Sequence, residues 1–178
     1  TQTNNAATVN GSKGSDIFTV TGYTSGSNAG TYSDILVASS PASANYNVTI
    51  NNGSLVIGKV TLTASLTVAD KTYDATTTAT PTFTITGGLV GSETLVVNGT
   101  ATFSSADAGS RTATAQTVSL SNGTGLASNY TLSAGQRDTA TINKATLTAS
   151  MTVAGKTYDA TTTATPTFTI TGGLVGSE

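Results

Sequence analysis

The feature that most constrains this chain is that it repeats itself. The stretch KTYDATTTATPTFTITGGLVGSE runs from Lys71 to Glu93 and returns from Lys156 to Glu178. The match reaches back to Thr61 and Thr146 at a constant offset of 85, and over those 33 positions only Leu66/Met151 and Asp70/Gly155 differ. A repeat of this length defines the folding unit, because each copy is one module that stacks on its neighbours. The chain is expected to hold the end of one module (1–59), a complete module (60–145) and the start of a third (146–178).

Inside the repeat the pattern has period two. Thr76, Thr78, Thr80, Thr82, Thr84 and Thr86 alternate with Ala79, Pro81, Phe83 and Ile85. Successive side chains of a strand point to opposite faces, so this stretch predicts one wet threonine face and one dry face. Threonine suits the wet face because its branched Cβ favours extended backbone and its hydroxyl meets water. Pro81 has no N–H to give to a ladder, which points to a strand edge or a bulge. Leu62, Ala64, Leu66 and Val68 alternate in the same way just upstream.

The remaining segments also read as short strands. Residues 1–16 are polar and aperiodic, either a loop or the tail of an earlier strand. Short strands are expected around Phe18–Val20, from Tyr32 to Ala38, and from Ala113 to Leu120 with Val118 and Leu120 inward. Three hairpins are expected from register and turn chemistry. One joins Tyr46, Val48 and Ile50 to Leu55 and Ile57 across Asn51–Ser54. A second joins Leu95 and Val97 to Ala101 and Phe103 across a bulged loop, Asn98–Thr100. The third closes the complete module, from Tyr130, Leu132 and Ala134 through residues 135–139 to Ala140 and Ile142. No segment carries a helical period. The fold class expected is all-β, with tandem Ig-like β-sandwich modules arranged end to end. The expected core is Leu66, Val68, Phe83, Ile85, Phe103, Leu120, Tyr130, Leu132 and Ile142.

Composition narrows the function. Charged residues are 9% of the chain and the net charge is −2, so no basic field is present to draw in nucleic acid or an anionic membrane. No apolar run approaches the ~20 residues of a membrane helix. With no His and no Cys, the common zinc sites and Ser-His or Cys-His catalysis are not available. The chain is therefore expected not to be an enzyme, and no cofactor is expected.

The fragments KTYDATT, GGLVGSETL, NGTATFSSADAG and LASNYTLSAGQRDTATINKA resemble the YDG domain, a repeat of large secreted bacterial adhesins that include haemagglutinin-like proteins. The resemblance spans about 60–145, with 146–178 as a truncated second copy. The naming motif falls on Tyr73-Asp74-Ala75 and Tyr158-Asp159-Ala160, with Ala where the family usually has Gly. That departure suggests a position with no need for positive φ. Upstream, SGSNAGTY and NYNVTINNGSLVIGK resemble the MBG domain, a related Ig-like repeat. The resemblance implies a spacer or stalk in a secreted, cell-surface or fibre-forming protein and supplies no catalytic residues.

Each conspicuous residue has a plain reading beside a functional one. Tyr73, Asp74, Tyr158 and Asp159 are expected to pin a turn, the Asp accepting backbone N–H groups and the ring covering the module end. Asp70, Asp74 and Asp107 meeting around calcium is the alternative. Lys59, Lys71 or Lys144 in an isopeptide bond with a buried Asn or Asp stands against an ordinary solvated lysine. Six Asn-x-Ser/Thr sequons start at Asn10, Asn47, Asn52, Asn98, Asn122 and Asn129; four are Asn-Gly, which also signals turns. The threonine faces suit a glycan or an ice surface as well as plain solvent. The expected partners are neighbouring copies of the repeat, in the same chain or an adjacent subunit by strand complementation, with a host or matrix glycan as the second possibility. Neither nucleic acid nor membrane insertion is expected.

Overall fold

The computed structural model describes residues 1–3 and 7–178. Asn4, Asn5 and Ala6, part of the polar N-terminal stretch, lie outside the described residues. Among the described residues regular structure is β, apart from the short 3-10 turns Ser43–Asn45 and Ala127–Asn129. The chain forms two compact units that interleave in sequence. One holds Thr1–Thr63, Gly87–Val96 and Leu120–Leu132; the other holds Ala64–Thr86, Val97–Ser119 and Ser133–Glu178.

The second unit contains the principal core. A curled five-stranded sheet runs in the order Thr78–Ala79, Leu95–Phe103, Gly109–Asn122, Arg137–Asn143, Lys71–Thr72. Thr78–Ala79 and Leu95–Phe103 are antiparallel, as are Gly109–Asn122 and Arg137–Asn143, whereas in the last pair Ile142 stands opposite Lys71 in parallel. A separate ladder pairs Thr63–Val68 with Pro81–Gly87. Period-two burial brings Leu66 and Val68 from the ladder together with Ala79, Ala101, Phe103, Ala113, Ala115, Ala140 and Ile142 from the sheet. The many alanines keep the sheet's inner face flat, so the larger ladder side chains can reach it. Phe83, Tyr73 and Val118 pack around this cluster. Ile142, at 1% exposure, is its most enclosed large side chain. Asp138 Oδ2 accepts the Val68 N–H at 2.8 Å and Asp70 Oδ1 accepts the Thr141 N–H at 2.6 Å, so two carboxylates supply acceptors where these ladders end.

The threonine run is divided between the two ladders. Thr78 and Ala79 pair with Thr102 and Ala101, whereas Pro81–Gly87 pairs with Thr63–Val68. Pro81 is the first residue of the second strand, a place where a missing N–H costs little. Ile85 is half-buried, like Phe83, while the flanking threonines are exposed.

The expected hairpins are not formed. Leu95–Phe103 is one unbroken strand through Asn98-Gly99. Gly99 takes no positive φ there. It permits close approach instead, since a Cβ would stand 2.3 Å from the Thr117 carbonyl oxygen and 2.9 Å from Phe83 Cε2. Tyr130–Thr131 and Arg137–Asn143 do not pair with each other. Tyr130–Thr131 joins Val60–Thr61 in parallel, and Arg137–Asn143 joins Gly109–Thr114. In the first unit Ser54–Ile57 pairs with Gly30–Ser33, while residues 46–50 form no strand. The stretch expected as one strand from Tyr32 to Ala38 is two, Gly30–Ser33 and Val37–Ser39, the second paired with Thr19–Thr21. Asp34, 3% exposed, lies between them and accepts the Thr24 N–H at 2.7 Å. Leu62 and Tyr130 are buried in this unit, and Leu120 and Leu132 are half-buried.

Candidate functional site

A lysine-centred polar cluster is built on the turn KTYDATT. It begins at the sheet edge, where the Tyr73 N–H donates to the Asn143 carbonyl at 2.8 Å. The chain then reverses through Ala75, whose φ is 58°. Sequence reasoning missed this: the position is left-handed although it carries a Cβ, and the family's usual glycine is the residue such backbone favours. A lysine-centred network holds the turn. Asp74 Oδ1 accepts from Lys71 Nζ at 2.7 Å, from the Thr76 N–H at 2.9 Å and from Thr76 Oγ1 at 2.8 Å. Lys71 Nζ also reaches the Thr76 and Thr78 carbonyls at 2.8 and 3.1 Å and Thr76 Oγ1 at 3.0 Å. It stands 5.7 Å from the Phe103 ring centroid, a cation–π placement. The hydrogen bond from Lys71, followed by those from the Thr76 backbone and hydroxyl, lowers the Asp74 pKa from 3.8 to about 2.

The second copy rebuilds the same turn. Lys156 Nζ lies 2.8 Å from Asp159 Oδ1 and 3.0 Å from the Thr161 carbonyl, Asp159 accepts the Thr161 N–H at 3.0 Å, and Ala160 has φ 57°. The Asp159 pKa is lowered for the same leading reason, the Lys156 hydrogen bond. The local sequence therefore encodes this turn without the strands that surround the first copy.

The two tyrosines differ. Tyr73 is half-buried against the core cluster and its hydroxyl donates to the Glu178 carboxylate. Tyr158 is 91% exposed. The network engages Lys71 and Asp74 as an ion pair on the surface side of the turn, an ordinary role for the lysine that was weighed for an isopeptide bond. Asp70, Asp74 and Asp107 serve separate local partners: the Thr141 amide, Lys71 with Thr76, and Ser105 with Arg111. Among the described residues no group of three acidic, His or Cys side chains could hold a metal. Lys71 and Thr76 as partners of Asp74 were legible only in retrospect, from the Lys-x-x-Asp-x-Thr spacing that both copies share.

Several sequon asparagines are occupied within the fold. Asn52 Oδ1 accepts the Leu36 N–H at 3.1 Å, Asn122 Oδ1 the Ala127 N–H at 2.8 Å, and Asn129 Oδ1 the Ala29 N–H at 2.8 Å. The threonine faces carry direct cross-strand pairs, such as Thr100 Oγ1 with Thr117 Oγ1 at 2.8 Å.

The first unit contains a crevice of about 470 Å³, lined among others by Phe18, Tyr23, Asp34, Tyr46, Asn47 and Asn51. Phe18 and Tyr46 meet edge to face at 5.1 Å, and the Tyr46 hydroxyl donates to Asp16 at 2.6 Å. That hydrogen bond, the largest influence, raises the Tyr46 pKa.

Comparison with known families adds one match. Residues 58–140 match the YDG domain. The match takes in the lysine-centred turn and ends within the strand Arg137–Asn143. No curated protein and no solved structure matches the chain. Among the described residues, no helix is long and apolar enough to cross a membrane.

Proposed function

We propose that this chain is a segment of an extracellular bacterial adhesin stalk or fibre. Ig-like β-sandwich modules of about 85 residues stack end to end and give reach and mechanical support. The observation that carries this reading is the repeat together with its structural echo. The lysine-centred turn recurs at Lys71 and Lys156, and the ladder of residues 63–87 recurs as Thr148–Val153 paired with Pro166–Gly172. The low charge and hydroxyl-rich surface fit a neutral spacer better than a steered binding site.

The second copy indicates what the array must supply. Leu66 is 6% exposed in the first copy, whereas Met151 and Phe168 of the second are 57% and 71% exposed. In the array, strands equivalent to residues 94–145 cover that face, from the same chain or from an adjacent subunit by strand complementation.

Small-angle scattering tests the reading. With one, two and three copies of residues 60–145 in the chain, the longest dimension should grow by a constant step per copy. A dimension that levels off as copies are added would contradict end-to-end stacking. A second reading, a glycan-binding module, has the crevice of the first unit in its favour, where aromatic rings stand beside a carboxylate and amides. The exposed threonine pairs are the other surface it could use.

A further inference from the structure

The tyrosine of the YDG motif has a partner that the turn itself does not explain. Its hydroxyl reaches Glu178, 105 residues away in sequence, at the end of the second GGLVGSE loop. The same loop in the first copy ends at Glu93, and there the glutamate accepts from the hydroxyl of the buried Tyr130. That hydroxyl also accepts the Val90 N–H at 3.2 Å, so a tyrosine fixes the first loop within its own module.

We propose that the glutamate closing each GGLVGSE loop is a two-sided latch: one carboxylate oxygen holds its own module's core tyrosine, and the other takes the YDG tyrosine of the module before it. The interaction surface is the module end around Tyr73, and its partner is the GGLVGSE loop of the following repeat. Three observations carry this.

First, the equivalent glutamates of the two copies accept from different tyrosines, Glu93 from Tyr130 and Glu178 from Tyr73, and a carboxylate has acceptor sites for both. Second, the hydrogen bond lies in a crevice of about 330 Å³, where Leu174 and Val175 of the following loop line one wall and Asp107, Lys144 and Leu147 contribute to the rest. Third, Tyr73 is half-buried and packs against the core cluster, so its hydroxyl meets Glu178 from a fixed position. The preceding segment also contacts this module near the first loop's tyrosine. Asn129, next to Tyr130, accepts the Ala29 N–H at 2.8 Å and bonds Asn28 at 3.1 Å.

The latch rests on the stacked-module reading and gives it a joint. Charge-assisted bonds of this kind are stronger than neutral ones and need a defined geometry, so the joint resists bending at the hinge. The Tyr73 pKa is raised, first by the Glu178 hydrogen bond, then by burial, with smaller contributions from the charges of Glu178, Asp107 and Asp74.

The test uses the 178-residue chain with tyrosine-ring carbons labelled for NMR, Tyr73 being assigned by its loss in Tyr73→Phe. In Glu178→Gln the Tyr73 ring should titrate at lower pH than in the parent chain. Amide exchange over residues 173–178 should quicken several-fold in either single variant and no further in the double variant. Unchanged Tyr73 titration together with unchanged exchange in Glu178→Gln would overturn the latch. Scattering still decides the stalk separately: modules joined without this latch would lengthen by a constant step all the same.

Discussion

At the residue scale, the lysine-centred turn makes two predictions. Asp74 has a folded pKa of about 2 against an ordinary 3.8, so folding favours its charged form. Its contribution to stability is complete above the ordinary value and is lost as pH falls through the folded value. Acid denaturation should therefore show an increment of lost stability between about pH 4 and pH 2 that Asp74→Asn lacks. Equal acid slopes in the two proteins would mean that solvent screens the pair completely. The second prediction concerns Ala75. A left-handed alanine costs about 1–2 kcal/mol, and glycine returns part of that gain, about 0.4–1 kcal/mol, as unfolded-chain entropy. Ala75→Gly should thus leave Tm unchanged or raise it, as calorimetry would read; a fall would mean that the methyl group packs favourably. This residue also marks a limit of sequence reading. Alanine at the motif's third position suggested ordinary backbone, because composition reports preference and not the hydrogen bonds that overrule it. Lys71 Nζ and Asp74 Oδ1, closing on Thr76 from both sides, do the overruling.

At the scale of elements, face was legible and partner was not. The period-two pattern correctly separated the buried Leu62, Leu66 and Val68 from their exposed neighbours. The exposed threonines from Thr76 to Thr86 followed the same logic. Which strand pairs with which depends on contacts distant in sequence, and local turn signals misled. Asn98-Gly99 looks like a hairpin tip yet lies inside Leu95–Phe103, because the glycine is needed where Phe83 and the Thr117 carbonyl crowd the strand. Gly99→Ala should cost about 1–3 kcal/mol through overpacking, measurable by urea denaturation. A true two-residue turn would tolerate alanine differently, through φ and not through Phe83. If the partial truncation Phe83→Leu relieved none of the Gly99→Ala cost, the Thr117 carbonyl alone would carry the crowding; a Gly99→Ala chain as stable as the parent would contradict crowding altogether. Pro81 was read better. Its missing N–H marks where the chain leaves Leu95–Phe103 and joins Thr63–Val68.

At the scale of the molecule, the repeat was the most informative feature of the sequence, and the YDG match at residues 58–140 overlaps most of its complete copy. What the chain touches outside itself was not legible, because a hydroxyl-rich neutral surface carries no chemistry that selects one ligand. The central claim is that each repeat is an independent mechanical unit in a stacked array. The most direct test is single-molecule stretching of a chain carrying several tandem copies of residues 60–145. The account predicts a regular sawtooth with one unfolding event per copy. Each event should release roughly 250–300 Å, the extended length of about 85 residues less the folded span. A single irregular release, or steps unrelated to the repeat length, would contradict it.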